Sequence, residues 1–589
     1  MKQFLKFTLA TIVGIIITGF LCTLLFFGMI GAVASFADKE VNITENSVYK
    51  MDLNGKLVER SEDDPFSGIM EKSIGRSSET TIGLDDILSN IKKAKNNANV
   101  KGIYLYAGTL SGGYASITEI RDALSDFKTS GKFIVSYADA YSQKMYYLCS
   151  VADKMLLNPQ GMVEFQGLAS QTMFYKKALD KLGIEMQVVK VGTFKSAVEP
   201  FILDKMSDEN KEQVTTFANS IWKNILNEIS GARNIPADSL NVLADKMMSF
   251  RPAEEVLATR LVDSLVYANT VDSILSKEYM KADNTKKITF VSNDEMIHSN
   301  TKQHTIEKEK IAVIYAYGGI DTEDGTDGIV SEDLVKTIYD VSKEKSVKSV
   351  VLRVNSPGGS AFGSEQILNA VRELKKEKPV IVSMGDYAAS GGYYIACLAD
   401  TIVAQPTTLT GSIGIFGVIP NIQGLYSKLG LSTDGVKTNK MSDAISINRA
   451  FTPEERNLMQ NYVNRGYELF VARCAEGRKK TPEEIKTIAE GRVWTGEDAL
   501  KIGLVDKLGT MKDAVEIAAK KAKIKNYNVV EYPEKESFVA RLMKDFGTSV
   551  ETRLTQKQLG ENYFILQQIR QAQQMNGVYM LMPFQVSFN

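Results

Sequence analysis

Hydrophobic positions in this chain follow two different spacings. Residues 350–354 and 379–383 are short segments dominated by β-branched aliphatic side chains, which predict buried strands. Between them, residues 364–376 carry apolar side chains three and four positions apart, which predicts a helix with one apolar face. Strand, helix and strand in succession indicate βαβ units and a largely parallel sheet, so the predicted fold class is α/β.

The chain also repeats itself. A shift of 247 positions aligns two long stretches without a gap, and near the end of each half the shift is 243. The aligned segments include Val135-Ser136 with Val382-Ser383, Tyr146-Tyr147 with Tyr393-Tyr394, Ala152-Asp153 with Ala399-Asp400, and Leu261-Val262-Asp263 with Leu504-Val505-Asp506. A match over this span indicates an internal duplication.

The duplication predicts how the chain divides into domains. The predicted parts are an N-terminal domain at 45–290, a polar linker at 291–309, a C-terminal domain at 310–532 and a tail at 533–589. Within the tail, the Gln-rich stretch from Gln556 to Gln574 predicts an exposed helix, and residues 579–584 form an apolar end. That end could pack on a neighbouring molecule or dock on its own domain.

An uncharged apolar run lies near the start of the chain, from Phe7 to Ala37, behind two lysines. Roughly 20 apolar residues span a bilayer, so we predict a transmembrane signal anchor at 7–32. The positive-inside rule then leaves residues 1–6 in the cytoplasm and the remainder of the chain outside it. A cleaved signal peptide is the alternative, although its apolar region is usually shorter, about 7 to 15 residues.

Composition narrows the class of protein. The 589 residues are 44% hydrophobic, as in ordinary globular proteins, and the net charge of -1 lacks the basic surplus typical of nucleic-acid binders. Four cysteines are too few for a disulfide framework in so long a chain. The two histidines, His298 and His304, both lie in the predicted linker. A Ser-His-Asp triad and a zinc site are therefore disfavoured, and we expect no metal or other cofactor.

Three glycine-rich motifs in the second half carry candidate chemistry. They are Asn355-Ser356-Pro357-Gly358-Gly359, Ala388-Ala389-Ser390-Gly391-Gly392 and Thr410-Gly411-Ser412-Ile413-Gly414. Glycines after strands let backbone N–H groups approach a ligand closely, as the developing oxyanion of acyl transfer requires. A serine that opens a helix suits nucleophilic attack. Any one of these motifs also fits a tight turn with an N-capping serine, but three of them in one domain favour a catalytic site.

Lysine is the strongest remaining candidate for the general base. Burial can lower the pKa of a lysine by several units, which leaves the amine uncharged near neutral pH. In the first half Gln143 matches Ser390, whereas Lys195 matches Ser442 of the second half. Each half then keeps what the other lacks, which favours a pair formed by Ser390 and Lys195 across the halves. Lys440 lies near the aligned position and is the alternative.

Motifs from both halves resemble those of one bacterial family. The segments that carry the resemblance are Val191-Gly192-Thr193-Phe194-Lys195-Ser196-Ala197, Ala389-Ser390-Gly391-Gly392-Tyr393 and Thr410-Gly411-Ser412-Ile413-Gly414-Ile415-Phe416-Gly417. They are similar to signal peptide peptidase A, also called protease IV, in its long two-domain form. The resemblance covers nearly the whole chain and implies two tandem domains of the Clp protease and crotonase type after the anchor.

The resemblance also implies an activity, that of a membrane-anchored serine endopeptidase with a Ser/Lys dyad that degrades cleaved signal peptides through an acyl-enzyme. Ser390 would be the nucleophile and Lys195 the general base, with Ser412 orienting the lysine. Gly391 and Gly359 would donate the oxyanion-hole N–H groups. The implied partners are extended apolar peptides and the lipid bilayer. The implied assembly is a homotetramer in the bacterial inner membrane, with its catalytic domains on the extracytoplasmic side.

Two other functions use the same sequence features. An acyl-CoA enzyme of the crotonase type would share the fold and the glycine-rich oxyanion hole but would lack a Ser/Lys dyad. A membrane scaffold with pseudo-catalytic repeats would have no activity at all.

Overall fold

The structure is a computed structural model, which describes residues 4, 6–8, 10–21, 24, 41–61, 81–280, 288–299, 307–321, 328–535 and 577–582. Within these residues the chain forms two large, mostly parallel sheets, each flanked by helices, and one small sheet that joins the two halves. This is the α/β class that the sequence predicts.

Within the described residues, the first half contains eight strands. They are β1 (Ser47–Val58), β2 (Thr81–Gly83), β3 (Val100–Ser111), β4 (Phe133–Tyr141), β5 (Lys154–Val163), β6 (Glu185–Val191), β7 (Ser264–Leu265) and β8 (Thr289–Val291). Its α-helices span Leu84–Asn96, Tyr114–Lys128, Gln143–Cys149, Lys176–Leu182, Glu199–Ile202, Asp208–Arg233, Ala237–Ala244, Ala253–Ala258, Val271–Ile274 and Asn293–Ile297. Shorter helical turns span Met248–Phe250, Ala268–Thr270 and Leu275–Tyr279.

The second half contains the remaining strands of the described chain. They are β9 (Lys310–Tyr317), β10 (Val347–Ser356), β11 (Gly358–Ser360), β12 (Val380–Ala389), β13 (Thr401–Ala404), β14 (Leu409–Gly411), β15 (Ile415–Asn421), β16 (Val493–Thr495), β17 (Lys507–Leu508), β18 (Asn528–Tyr532) and β19 (Gly577–Leu581). Its helices span Ser331–Lys343, Ala361–Glu377, Gly391–Ala396, Gln423–Lys428, Pro453–Arg478, Pro482–Ile488, Gly496–Lys501 and Met511–Ala522. The strands predicted at 350–354 and 379–383, and the helix predicted between them, are confirmed.

The two large sheets share one strand order. In the first half neighbouring strands run β8-β1-β3-β4-β5-β7, and in the second they run β18-β9-β10-β12-β13-β17, with parallel pairing throughout. Parallel neighbours are what the strand–helix–strand alternation of the sequence predicts. The equivalence of the two sheets agrees with the internal duplication.

Both faces of the second sheet are buried, which explains why its strands carry apolar residues at successive positions. On one face Ile314, Leu352 and Val382 belong to the main core of this half. On the other face Val351 and Ile381 pack with the helix Met511–Ala522. Successive residues of one strand point to opposite faces, so both faces need apolar side chains.

The predicted membrane anchor falls partly on residues outside the described set. Residues 10–21 are helical. No helix formed by the described residues is both long enough and apolar enough to span a bilayer. The predicted tail helix from Gln556 to Gln574 lies outside the described residues.

The described part of the apolar end docks on its own chain, which is one of the two alternatives that the sequence left open. Strand β19 lies between β11 and β15 and is antiparallel to both. Strand β15 pairs on its other side with β6 from the first half. The small sheet therefore has the order β11-β19-β15-β6 and is built from both halves of the chain.

A buried ion cluster joins the two halves. The Arg353 guanidinium donates to Glu59 at 2.9 Å and to Glu119 at 2.8 Å, and both carboxylates come from the first half. Arg353 also donates to Ser383 Oγ at 2.9 Å. All three charged side chains are at most 5% exposed, so water does little to solvate them. The cluster therefore holds the halves in one orientation, because any separation would leave buried charges without partners.

Removing the arginine should destabilise the protein strongly. Arg353→Ala leaves Glu59 and Glu119 buried without a cation, a change that typically costs about 3–5 kcal/mol. The free energy of unfolding, measured by urea denaturation, reports the loss. The matched control is Arg372→Ala, whose partner Glu476 is 51% exposed; such a surface pair is worth about 0–1 kcal/mol. Equal effects of the two substitutions would contradict the role given to the cluster.

Candidate active site

Ser390 lies at the point where β12 ends and the helix Gly391–Ala396 begins. Its backbone has φ 54° and ψ -113°, a combination that is strained for a residue with a side chain. Two backbone bonds hold it there, because Ser390 N donates to Gly411 O at 2.8 Å and Tyr394 N donates to Ser390 O at 2.8 Å. The strand-to-helix turn thus fixes the serine hydroxyl at the carboxyl edge of the sheet.

Two backbone amides converge beside Ser390. A methyl group added to Gly391 would stand 3.1 Å from the amide nitrogen of Gly359, so the residue after the serine and the glycine pair are neighbours. Gly358 N already donates to Ser356 Oγ at 3.2 Å. The amide nitrogen of Gly391 has no intrahelical acceptor because it opens the helix. The arrangement brings together the two amides predicted as oxyanion-hole donors.

Lys195 reaches this site because of one antiparallel strand pair. Strand β6 of the first half pairs with β15 of the second in a register that sets Val191 opposite Ile415. Lys195 follows four residues after Val191, and Ser412 precedes Ile415 by three. The pairing therefore delivers the lysine loop of one half to the serine motif of the other.

The lysine amine contacts both predicted serines. Lys195 Nζ lies 2.8 Å from Ser390 Oγ and 3.0 Å from Ser412 Oγ, and it donates to Ser412 O at 3.1 Å. All three side chains are fully buried. The residues that the sequence placed in separate halves thus meet within hydrogen-bonding distance. The contacts with Ser412 fix the direction of the amine relative to Ser390.

Burial lowers the pKa of Lys195 well below its usual value. Removing an ammonium group from water penalises the charged form, and no countercharge is needed to explain the shift. A methyl group added to Gly414 would stand 3.2 Å from Lys195 Cδ, which shows how closely the backbone encloses the aliphatic stem. A neutral amine hydrogen-bonded to a serine hydroxyl can accept its proton.

Segment 490–492 supports the lysine loop and was not singled out from the sequence. Glu490 accepts hydrogen bonds from Thr193 N at 2.9 Å and Thr193 Oγ1 at 3.0 Å, and its carbonyl accepts from Phe194 N at 2.8 Å. Gly491 has φ 78°, and a Cβ there would stand 2.7 Å from the backbone nitrogen of Lys195. A left-handed glycine in a polar turn was the available signal, but nothing in the sequence linked it to Lys195.

Lys440, the alternative general base, and His298 have other partners. Lys440 is 76% exposed and pairs with Glu454, and Ser442, which the repeat aligns with Lys195, bonds to the exposed backbone of Asn439. His298 contacts the carbonyl of Asp294. His304 is outside the described residues. Of these candidates, Lys195 is the residue that contacts Ser390.

The equivalent position in the first half is filled by an amide. Gln143 Nε2 donates to the Tyr114 hydroxyl at 3.1 Å and to Gly167 O at 3.0 Å. Its Oε1 accepts from the backbone nitrogens of Gln166 and Gly167, both at 2.9 Å. The side chain therefore occupies the pocket and satisfies the polar groups around it, so position 143 carries no nucleophile.

Comparison with known proteins gives the class and then the family. The family model described as "Peptidase family S49" matches residues 126–281 and 372–525, one region in each half. The chain is a serine protease with two copies of one peptidase domain. It belongs to peptidase family S49. This membership favours proteolysis over the acyl-CoA chemistry and the inactive scaffold that the sequence left open.

Two curated relatives match most of the chain. Protease 4 of Salmonella typhi is 37% identical over 526 residues, which is 87% of this chain and 84% of the relative. The chloroplastic serine protease SPPA of Arabidopsis thaliana is 31% identical over 87% of this chain and 75% of its own length. Among solved structures, a point mutant of ClpP1 from Listeria monocytogenes is 16% identical with a TM-score of 0.24, covering 34% of this chain and 94% of that chain.

The first half should not become active when its serine is restored. Gln143→Ser removes the four hydrogen bonds of the amide and supplies a hydroxyl without the glycine amides, because Lys144 and Met145 stand where the second half has Gly391 and Gly392. We expect the double variant Gln143→Ser/Ser390→Ala to cleave no peptide, and Gln143→Ser alone to lose about 1–3 kcal/mol of stability. Peptide cleavage by the double variant would show that the first-half pocket is competent.

Activity should rise with pH along an acidic limb set by Lys195. The base acts as the uncharged amine, and the lowered pKa brings that form below the usual lysine value of about 10.4. The measurement is kcat/KM for an apolar peptide between about pH 6 and 9. Lys440→Ala, which alters an exposed lysine, should leave the profile unchanged. A flat profile over this range would contradict a lysine base.

Proposed function

We propose that this protein is a membrane-anchored endopeptidase that uses Ser390 and Lys195 to degrade signal peptides left in the membrane after their release from secreted proteins. The observation that carries the proposal is the 2.8 Å contact between Lys195 Nζ and Ser390 Oγ, made by two fully buried groups. The sequence resemblance to signal peptide peptidase A supplies the substrate class. The anchor at 7–32 is proposed from the apolar run in the sequence.

The reaction follows from the contacts of the dyad. Lys195 accepts the proton of Ser390 as its Oγ attacks the carbonyl carbon of the peptide. The amides of Gly391 and Gly359 stabilise the oxyanion that forms on the carbonyl oxygen. Lys195 then protonates the departing amine, which leaves an acyl-enzyme on Ser390. Water deprotonated by Lys195 hydrolyses the ester and restores both groups.

Ser412 would orient the base through the whole cycle. Its hydroxyl and its carbonyl oxygen both contact Lys195 Nζ, at 3.0 and 3.1 Å. An uncharged amine has a single lone pair, and two fixed acceptors direct its N–H bonds away from Ser390. The lone pair is then free to receive the serine proton.

An unwound apolar chain is the substrate form that suits this site. Strands β11 and β15 border the glycine corner on either side of β19, and a peptide that took the place of β19 would lie between them as a strand of the small sheet. A signal peptide is an apolar helix of about 7 to 15 residues, which must unwind before it can pair in this way. We propose extracytoplasmic catalytic domains on a bacterial inner membrane, and assembly as a homotetramer, from the sequence resemblance.

The deciding experiment compares variants on a synthetic signal peptide presented in detergent. Wild type should cleave the peptide, while Ser390→Ala and Lys195→Ala should each lower kcat by about 10²–10⁴-fold or more while remaining folded. A fluorophosphonate probe should label wild type at Ser390 and should not label Ser390→Ala.

Lys440→Ala is the matched lysine control, since it removes an exposed amine that contacts Glu454 instead of a serine. It should keep full activity. Retained cleavage by Lys195→Ala would mean that another residue is the base. Cleavage of soluble polar peptides in preference to signal peptides would overturn the proposed substrate while leaving the dyad intact.

A further inference from the structure

The buried amide of Gln213 holds the lysine loop on both sides of the base. Its Nε2 donates to Phe194 O at 2.9 Å and to Ser196 Oγ at 3.0 Å, so the residues before and after Lys195 share one partner. Gln213 is 1% exposed and belongs to the helix Asp208–Arg233 of the first half. A long helix therefore fixes the segment of backbone from which the lysine side chain extends.

The same side chain reaches the strand that supports both serines of the site. Val493 N donates to Gln213 Oε1 at 3.2 Å, and Val493 lies in β16, which pairs with β14. The last residue of β14 accepts a hydrogen bond from Ser390 N at 2.8 Å, and the residue before Val493 accepts one from Ser412 N at 2.7 Å. Gln213 therefore links the loop that carries the base to the strands that hold the nucleophile and the orienting serine.

The duplicated helix shows that this glutamine is particular to the half that carries the base. The helices Asp208–Arg233 and Pro453–Arg478 have 26 residues each, and a shift of 245 aligns them end to end. The same shift places Gln213 on Leu458, which is 55% exposed. A buried polar side chain is costly unless it is hydrogen-bonded. The half with Lys195 thus has a buried amide at this position, where the other half has an exposed apolar residue.

We propose that Gln213 is a positioning residue of the reaction, which sets the place of Lys195 Nζ relative to Ser390 and keeps the amine enclosed. The proposal rests on the proposed function, because it concerns the same dyad. Gln213 acts through the backbone, since the four hydrogen bonds of its amide go to groups other than Lys195 Nζ. A misplacement of about 1 Å at a reacting group can cost about 10²-fold in rate, so a support of this kind affects the reaction directly.

The charged groups around the lysine loop would be unchanged by a neutral substitution of Gln213. Four charged side chains border this loop, and each contacts another group: Lys190 the carbonyl of Lys195, Glu199 the hydroxyl of Ser207, Glu490 the backbone of Thr193, and Arg492 the carboxylate of Glu212. Burial is the cause of the lowered pKa of Lys195. A shift of the acidic limb in a neutral variant would therefore report a change in the position or burial of the amine.

Gln213→Met tests the proposal, because methionine keeps the length of glutamine and removes its hydrogen bonds. The measurements are kcat and KM for an apolar peptide between about pH 6 and 9, and the rate at which a fluorophosphonate labels Ser390. We expect kcat and the labelling rate to fall by about 10- to 100-fold near neutral pH, with KM little changed because Gln213 is buried. The acidic limb should move to higher pH, because a looser loop admits water and the pKa of Lys195 rises toward its usual value.

The matched control is Gln143→Met. Gln143 is also buried and its amide also makes four hydrogen bonds, but it lies in the pocket of the first half. Both substitutions leave buried polar groups without partners and should lower the urea midpoint of unfolding by similar amounts. The acidic limb should move in Gln213→Met and stay in place in Gln143→Met. A limb that moves equally in both variants, or in neither, would overturn the proposal.

Ser196→Ala carries the test if Gln213→Met does not fold, because it removes one of the four hydrogen bonds and should move the limb in the same direction by a smaller amount. An unmoved limb in that variant would likewise contradict the role of Gln213. Wild type separates the two failures. If wild type shows an acidic limb that the variants leave in place, the positioning role fails and the proposed function stands. If the profile of wild type is flat, the lysine base fails, and the proposed function fails with it.

Discussion

The proposed reaction depends on one amine staying uncharged. A lysine in water holds its proton at neutral pH. It can act as a base only where burial prevents water from solvating the charged form. Complete burial of Lys195 provides that condition, and its pKa falls well below the usual value. The burial is possible because β6 leaves the first half to pair with β15, which closes backbone around the lysine stem. The chemistry therefore depends on how the two halves are joined.

The joint between the halves is correspondingly strong. Arg353 binds Glu59 and Glu119 in a buried cluster, and Asp386 accepts hydrogen bonds from Ser116 N at 2.9 Å and Ser116 Oγ at 2.6 Å across the same boundary. These contacts fix the orientation in which the β6–β15 pair can form. In the proposed mechanism, a displacement of about 1 Å between Lys195 and Ser390 would cost much of the rate, so the proposed function requires rigidity between the halves.

Much of this arrangement could be predicted from the sequence. The repeat predicted two equivalent sheets, and their strand orders are the same. The loss of a serine at Gln143 and the presence of Lys195 predicted a pair across the halves, and the two side chains do meet. These inferences succeeded because they compare the chain with itself, and aligned positions occupy equivalent places in duplicated folds.

Other features could not be predicted from the sequence, for physical reasons. Arg353 interrupts an apolar strand, and only the tertiary structure shows that two carboxylates neutralise it. Strand β19 is a short apolar segment whose partner cannot be read from periodicity, since any open sheet edge could accept it. Glu490 is hydrogen-bonded to the lysine loop through a turn that carries no chemical signature. Each is a long-range contact between segments without local pattern.

The small sheet has a consequence for selectivity. A peptide that replaced β19 would make main-chain hydrogen bonds to β11 and β15, which every residue except proline can make, so these bonds select a conformation instead of a sequence. A polypeptide whose backbone amides are already hydrogen-bonded within a stable domain cannot form hydrogen bonds with these two strands. The molecule would thus distinguish damaged or discarded chains from intact proteins by whether their backbone amides are unpaired. Side chains would determine only the position of the cleaved bond along such a chain.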